Sequence, residues 1–155
     1  VAVIGGRGVE EGSETWALAE EVGRRLAEAG VTLVCGGGGG VMEAASRGAA
    51  AAGGDVIGIV PGTSPEDANE FCTHVVAAGI GHARNLGVVS SGEAVIAIGG
   101  EWGTLSEIGF ARVIGHEVVA LRSWELNGRE RMAGGPGVVA VETAEQAVAA
   151  ALAAL

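Results

Sequence analysis

Residues 98–107, IGGEWGTLSE, put two glycines after an apolar run and then a Gly103-Thr104 step that opens a helix, with Glu107 one turn inside it. A helix start attracts anions, because its free N–H groups and the helix dipole both favour negative charge. Gly99, Gly100 and Gly103 let a ligand approach the amides, and Thr104 offers a cap and a hydroxyl. Glu107, three residues after Thr104, suits two roles: the acid of a capping box, or a carboxylate turned into a cleft for acid–base chemistry. Glu101 opposes the anion. Two like charges a few ångströms apart repel by about 1 kcal/mol even in water, so the direction of Glu101 decides whether the loop stays an anion site. Trp102 beside it offers a face for stacking on a planar ligand, or an oligomer contact.

A second cluster, CGGGGGVMEA, carries Gly36, Gly37, Gly38, Gly39, Gly40 and Met42. Five glycines exceed what close strand–helix packing needs, so the run reads as a phosphate-binding cradle. Neither this cluster nor Gly6-Arg7-Gly8 completes the G-x-G-x-x-G dinucleotide fingerprint, and NAD is not predicted. His82 is a candidate cleft residue; His74 and His116 read as structural or solvent-facing. No His, Cys and carboxylate spacing suggests a metal, so none is expected. Cys35 and Cys72 are far apart in the chain and in no metal or redox spacing, which predicts two buried thiols in a reducing cytosol.

Composition narrows the function classes. All nine basic residues are Arg. Without Lys, this chain has neither an internal Schiff base for pyridoxal phosphate nor a Walker lysine. Nineteen acids against nine arginines give a net charge of −10, which argues against a nucleic-acid groove. No apolar run reaches membrane-spanning length and no signal peptide is evident, so a cytoplasmic protein without membrane partners is expected.

The elements that must position these residues alternate β-branched runs with Ala-rich helical stretches, the pattern of a parallel sheet covered on both faces. Strands are predicted at VAVIGG, VTLVC, DVIGIVP, THVVAA, EAVIAIGG, HEVVAL and GVVAVE. Helices are predicted from the Ser13 cap to the Gly30 stop, over 41–52, over ARNLGVVSS, from 103 to about 114, and over TAEQAVAAALAAL. Residues 61–69 and 122–136 read as loops. The chain is therefore expected to be one α/β domain over 1–155, a doubly wound Rossmann-like parallel sheet of about six or seven strands. In such sheets the ligand lies beyond the carboxyl ends of the strands, where the glycine clusters fall.

GGEWGTLSE preceded by GHARN resembles the family long called lysine decarboxylase-like, which includes the Lonely Guy cytokinin-activating phosphoribohydrolases. GGGGGVMEAASRGA resembles that family's other glycine motif. The form GG-x-[YW]-GTLSE with Arg-Asn is similar to a bacterial subgroup that includes molybdenum-cofactor carrier proteins. The resemblance implies Arg84 and Glu107 as catalytic residues and hydrolysis of a nucleoside 5′-monophosphate to base and ribose 5-phosphate. It also implies a homodimer or higher homo-oligomer. Against the family pattern, Gly99 replaces a proline, Glu101 a glycine, and Asn85 the lysine that follows the arginine. Two readings follow: such a hydrolase, or a non-catalytic carrier or sensor of a molybdopterin-type cofactor or nucleotide. Both take a small phosphorylated molecule and require no cofactor for catalysis. A third, a DNA-handling relative of DNA-processing protein A, is disfavoured by the net charge.

Overall fold

The computed structural model describes residues 1–124, 126 and 137–155. In chain order the elements are β1 (Ala2–Gly5), α1 (Glu14–Glu28), β2 (Leu33–Cys35), α2 (Val41–Ala51), β3 (Val56–Val60), β4 (His74–Ala77), α3 (Arg84–Ser90), β5 (Ala94–Ile98), α4 (Trp102–Val113), β6 (Glu117–Leu121), β7 (Val138–Val141) and α5 (Ala144–Leu152). Single 3-10 turns, Pro65–Asp67 and Gly81–Ala83, precede β4 and α3. The strands form one parallel sheet in the order β4-β3-β2-β1-β5-β6-β7. This is the doubly wound Rossmann-like arrangement expected from the alternation.

Strand β5, beside the central β1, is buried throughout, whereas β4 and β7 at the edges are partly exposed. Alternate residues feed two cores, as a pleated sheet requires. Val3, Leu33, Cys35, Ile96 and Leu121 face α1, α2 and α5, while Ala2, Ile4, Val34, Val95 and Ala97 face α3 and α4. Helix α1 starts where Ser13 accepts a hydrogen bond from the Trp16 N–H at 3.2 Å, and it buries Trp16, Ala19, Val22 and Leu26. At Gly23 and Gly48, α1 and α2 pack backbone to backbone. A Cβ on Gly23 would lie 1.9 Å from the Ala45 carbonyl oxygen, and one on Gly48 1.9 Å from that of Glu20.

Helix α4 begins at Trp102 and is capped by Glu101, not Thr104. The Thr104 hydroxyl, at the third helical position, accepts from the Glu101 N–H at 3.4 Å. Glu107 is therefore a turn too far along the helix for a capping box with Thr104. Of the loop expected over 122–136, residues 122–124 are described; Arg122 pairs with Glu14 and Glu142. Apart from residue 126, the rest of that loop lies outside the described residues. Among the described residues, no helix is long and apolar enough to cross a membrane.

Because the atoms facing Gly23 and Gly48 are backbone, neither helix can yield locally. Gly23→Ala and Gly48→Ala are each expected to lower unfolding stability by about 2 kcal/mol or more. Gly109, inside α4 with open space around it, should behave oppositely. Gly109→Ala gains up to about 1 kcal/mol of helix propensity. Urea denaturation of the three variants checks both signs.

Candidate functional site

The chain leaves β1 toward β2 and leaves β5 toward β6, so the loops after these adjacent strands diverge and open a crevice. A cavity of about 550 Å³ occupies it, walled by Gly5 and Arg7, by Gly36, Gly38 and Met42, by His82, Arg84 and Asn85, and by Glu101, Gly103, Thr104 and Glu107. Arg84 and Glu107, the two residues to which the resemblance gives catalytic roles, come together here. Arg84 Nη1 lies 3.5 Å from Glu107 Oε1, with the two side chains 13% and 9% exposed.

Each partner is placed by backbone geometry. Arg84 opens α3, and its guanidinium lies against the backbone of Gly36. A Cβ there would be 2.3 Å from Arg84 Nη1, so glycine is what admits the arginine. Glu107 shares a face of α4 with Thr104, Ile108 and Ala111, all buried. Burial raises its pKa from 4.5 to about 7 against the opposing pull of Arg84, and the Cys35 thiol pushes it further up when ionised. The buried Arg84 Nε and Nη1 have no hydrogen-bond partner among the described residues. Buried donors are normally paired, so the guanidinium is short of acceptors.

Glu101 points neither fully to solvent nor to Arg84. Its Oε1 accepts from the Gly8 N–H at 3.4 Å, bridging the β1–α1 and β5–α4 loops on the lip of the cavity. Oε1 would also lie 3.3 Å from a Cβ on Gly6 and 3.4 Å from one on Gly8, so both glycines leave room for it.

Several expected ligand residues do not line the cavity. Gly37 turns at φ +68° against Val60 and Gly58. Gly40, at φ +66°, lets the loop cross the Gly6 and Arg7 carbonyls, and Gly39 lies beside Glu43. Gly99 and Gly100 take φ +54° and +135° to turn the chain out of β5, and Gly100 packs on Thr104. Trp102 is 77% exposed and tilts against Trp124, with ring centroids 5.3 Å apart. Asn85 lines the cavity, yet its amide also reaches Ser106 Oγ at 3.5 Å, linking α3 to α4.

Arg7 was missed. It is exposed, lines the cavity, and makes no ion pair among the described residues. By contrast Arg24, Arg25 and Arg47 are engaged by Glu11, Glu20, Glu21 and Glu28. Its signal was positional, since the first strand–helix turn of a doubly wound sheet always reaches the switch point. The two cysteines also differ from expectation. They are free, and the pairing of β2 with β3 brings them to the same side of the sheet.

Fold and crevice together define a Rossmann-like domain with a cavity at the switch point and Arg84 at its base. Residues 1–148 match the SLOG cluster4 family, and the chain belongs to it. An uncharacterized protein of Archaeoglobus fulgidus is 42% identical over 122 residues, 79% of each chain. The molybdenum cofactor binding protein of Rippkaea orientalis superposes with a TM-score of 0.85 at 30% identity, covering 98% of this chain and 94% of that one. The molybdenum cofactor carrier protein of Chlamydomonas reinhardtii gives 0.85 at 28% identity, covering 98% and 96%.

The raised pKa of Glu107 sets a pH dependence. Its proton is bound more tightly folded, near 7, than unfolded, near 4.5. The stability it contributes is therefore complete below pH 4.5 and lost as pH rises through 7, by about 3 kcal/mol in total. In urea titrations across that window, wild type should lose this much relative to Glu107→Gln. A pH-independent difference between the two proteins would contradict the assignment.

Proposed function

We propose that this chain is a carrier for a small phosphorylated molecule, with a molybdenum-cofactor-type pterin as the leading ligand. The observation that carries this reading is Arg84, buried over Gly36 with unpaired donors at the base of a cavity of about 550 Å³. A phosphate supplies the acceptors that the guanidinium lacks, and Arg7 stands on the wall as a second cation. The volume suits a heterocycle with its side chain. Likeness to proteins that bind or carry molybdenum cofactor supports the same class.

A second reading has its own observation. A carboxylate with a pKa of about 7 beside a permanent cation can exchange a proton near neutrality. If a nucleoside 5′-monophosphate occupied the cavity, Glu107 as carboxylate would stabilise the positive charge that develops on the ribose as the base departs, and could orient the attacking water.

The readings separate in one experiment. Equilibrium dialysis with AMP, ribose 5-phosphate and released molybdenum cofactor is run beside a base-release assay. Carriage predicts cofactor bound near one per chain with no base release. Base release lost in Glu107→Gln assigns hydrolysis, and no binding of any probe overturns both. For a bound probe, Arg84→Ala should weaken affinity about 10- to 100-fold, the worth of charge-assisted hydrogen bonds. Gly36→Ala, which displaces the guanidinium, should weaken it similarly.

The same chain is proposed to pair with a second copy through the α3–α4 face. Leu86, Phe110, Val113 and Ile114 are exposed there, and α3 and α4 carry no acid besides the buried Glu107. In a chain of net charge −10, this face meets a copy of itself with little like-charge repulsion. Sedimentation should show a dimer that Val113→Glu converts to monomer.

A further inference from the structure

We propose that Cys35 and Cys72 are a redox-active pair, closed to a disulfide by low-molecular-weight disulfides, and that closure stiffens the β2–α2 glycine loop and strengthens anion binding above it. The binding part rests on the carrier reading; the cysteine chemistry does not.

Thirty-six positions separate the two residues in sequence, and the sheet removes that distance. Cys35 ends β2 and is buried. Its Sγ accepts from the Gly37 N–H at 3.3 Å and lies 3.5 Å from Ser46 Oγ. Its register partner on β3 is Gly58. The Cys72 sulfur fills the side-chain space that Gly58 leaves, only 2.6 Å from where a Cβ would stand. Adjacent strands are about 4.8 Å apart, so this places the second sulfur one strand spacing from Cys35 on the same side of the sheet. A disulfide needs its Cβ atoms about 3.5–4.5 Å apart, close to one strand spacing.

The segment carrying Cys72 is fastened to the glycine loop. The Asn69 N–H donates to the Gly37 carbonyl at 2.7 Å, and Asn69 Nδ2 donates to the Gly38 carbonyl at 2.9 Å. Asn69 Oδ1 accepts from the Phe71 N–H at 3.2 Å and from the Cys72 thiol at 3.6 Å. A covalent link at Cys72 therefore braces the carbonyls of Gly37 and Gly38 from below.

The two thiols divide the work. Cys35 has its pKa lowered to about 7, chiefly by the neighbouring Cys72 thiol, while that of Cys72 is raised, so the pair gives up one proton readily. Cys35 is out of reach of reagents, whereas Cys72 is only partly buried. In the first step Cys72, its proton passed to Cys35, attacks one sulfur of a disulfide RSSR. A Cys72–SR bond forms, the RS–SR bond breaks, and RS⁻ leaves to take up a proton. In the second step Cys35, its proton handed to the departed RS⁻, attacks Cys72 Sγ as the thiolate and expels the other RS⁻, which takes a proton from solvent. Two thiols have lost two electrons and two protons, and RSSR has become two RSH. Arg84 stabilises the Cys35 thiolate, so the neutral disulfide removes a negative charge from beside Arg84 and Glu107. The cavity floor becomes more favourable to an anion.

The test uses the whole chain and glutathione disulfide, read by intact mass and peptide mapping without reduction. Wild type should lose two hydrogens in mass and both free thiols. Cys35→Ser should stop at one glutathione adduct on Cys72, and Cys72→Ser should stay unmodified. Wild type that keeps both thiols or halts at the adduct overturns the pair, as does modification of Cys72→Ser at the wild-type rate. For the coupling, amide exchange at Gly37 and Asn69 should slow about tenfold on oxidation, and unchanged exchange overturns the bracing. Inorganic phosphate should bind the oxidised protein severalfold more tightly, and equal or weaker binding overturns the electrostatic link. Phosphate that binds neither form counts against the carrier reading, while the mass and exchange results still decide the cysteine pair.

Discussion

Arg84 and Glu107 are taken out of water together at the point where the two halves of the sheet diverge. Desolvating two charges costs several kcal/mol per ion, and mutual attraction repays this only when hydrogen bonds satisfy the remaining donors and acceptors. Here they do not. The 3.5 Å separation is beyond a good hydrogen bond, two guanidinium nitrogens have no partner among the described residues, and the carboxylate holds its proton up to about pH 7. A structure built only for stability would place apolar side chains in this position. In the proposed reading, the pair is half of an arrangement whose other half is an anion.

The surrounding fold follows from keeping that pair in place. Gly36 has no side chain because the guanidinium occupies its space, and Gly40 turns the same loop over the carbonyls of the first strand–helix connection. Helix α4 carries Glu107 inward by starting at Trp102, so that Thr104 and Glu107 share the buried face. The Glu101 cap reaches Gly8 across the lip and so ties the loops of the two central strands together. The Glu101 charge is thus directed to a backbone amide at the rim, apart from Arg84 at the base.

Much of this was legible in the residues. Alternating β-branched and Ala-rich runs carry the strand and helix periods directly, so the doubly wound sheet and most element bounds could be read in order. The meeting of Arg84 and Glu107 was accessible only through family resemblance, because the periodicity of α3 and α4 does not state how two helices face one cavity. Other features depend on tertiary register. Whether a glycine lines the cavity or turns the chain away from it is decided by φ and by the neighbour it meets, as Gly36 and Gly37 show side by side. Arg7 carried no motif of its own. The Cys35–Cys72 contact needed the pairing of β2 with β3 and the empty side-chain space at Gly58, neither of which is written in the spacing of two cysteines.

The central claim is that Arg84 and Arg7 hold the anionic end of a ligand over the glycine loop at the β1–β5 crevice. The most direct measurement is a crystal structure grown with ribose 5-phosphate, in which the phosphorus position is read from density. The expected result is a phosphate within hydrogen-bond reach of the Arg84 guanidinium and the backbone of Gly36 or Gly38, with Arg7 turned toward it. Phosphate bound elsewhere on the chain, with the Arg84–Glu107 pair undisturbed in an empty crevice, would contradict it.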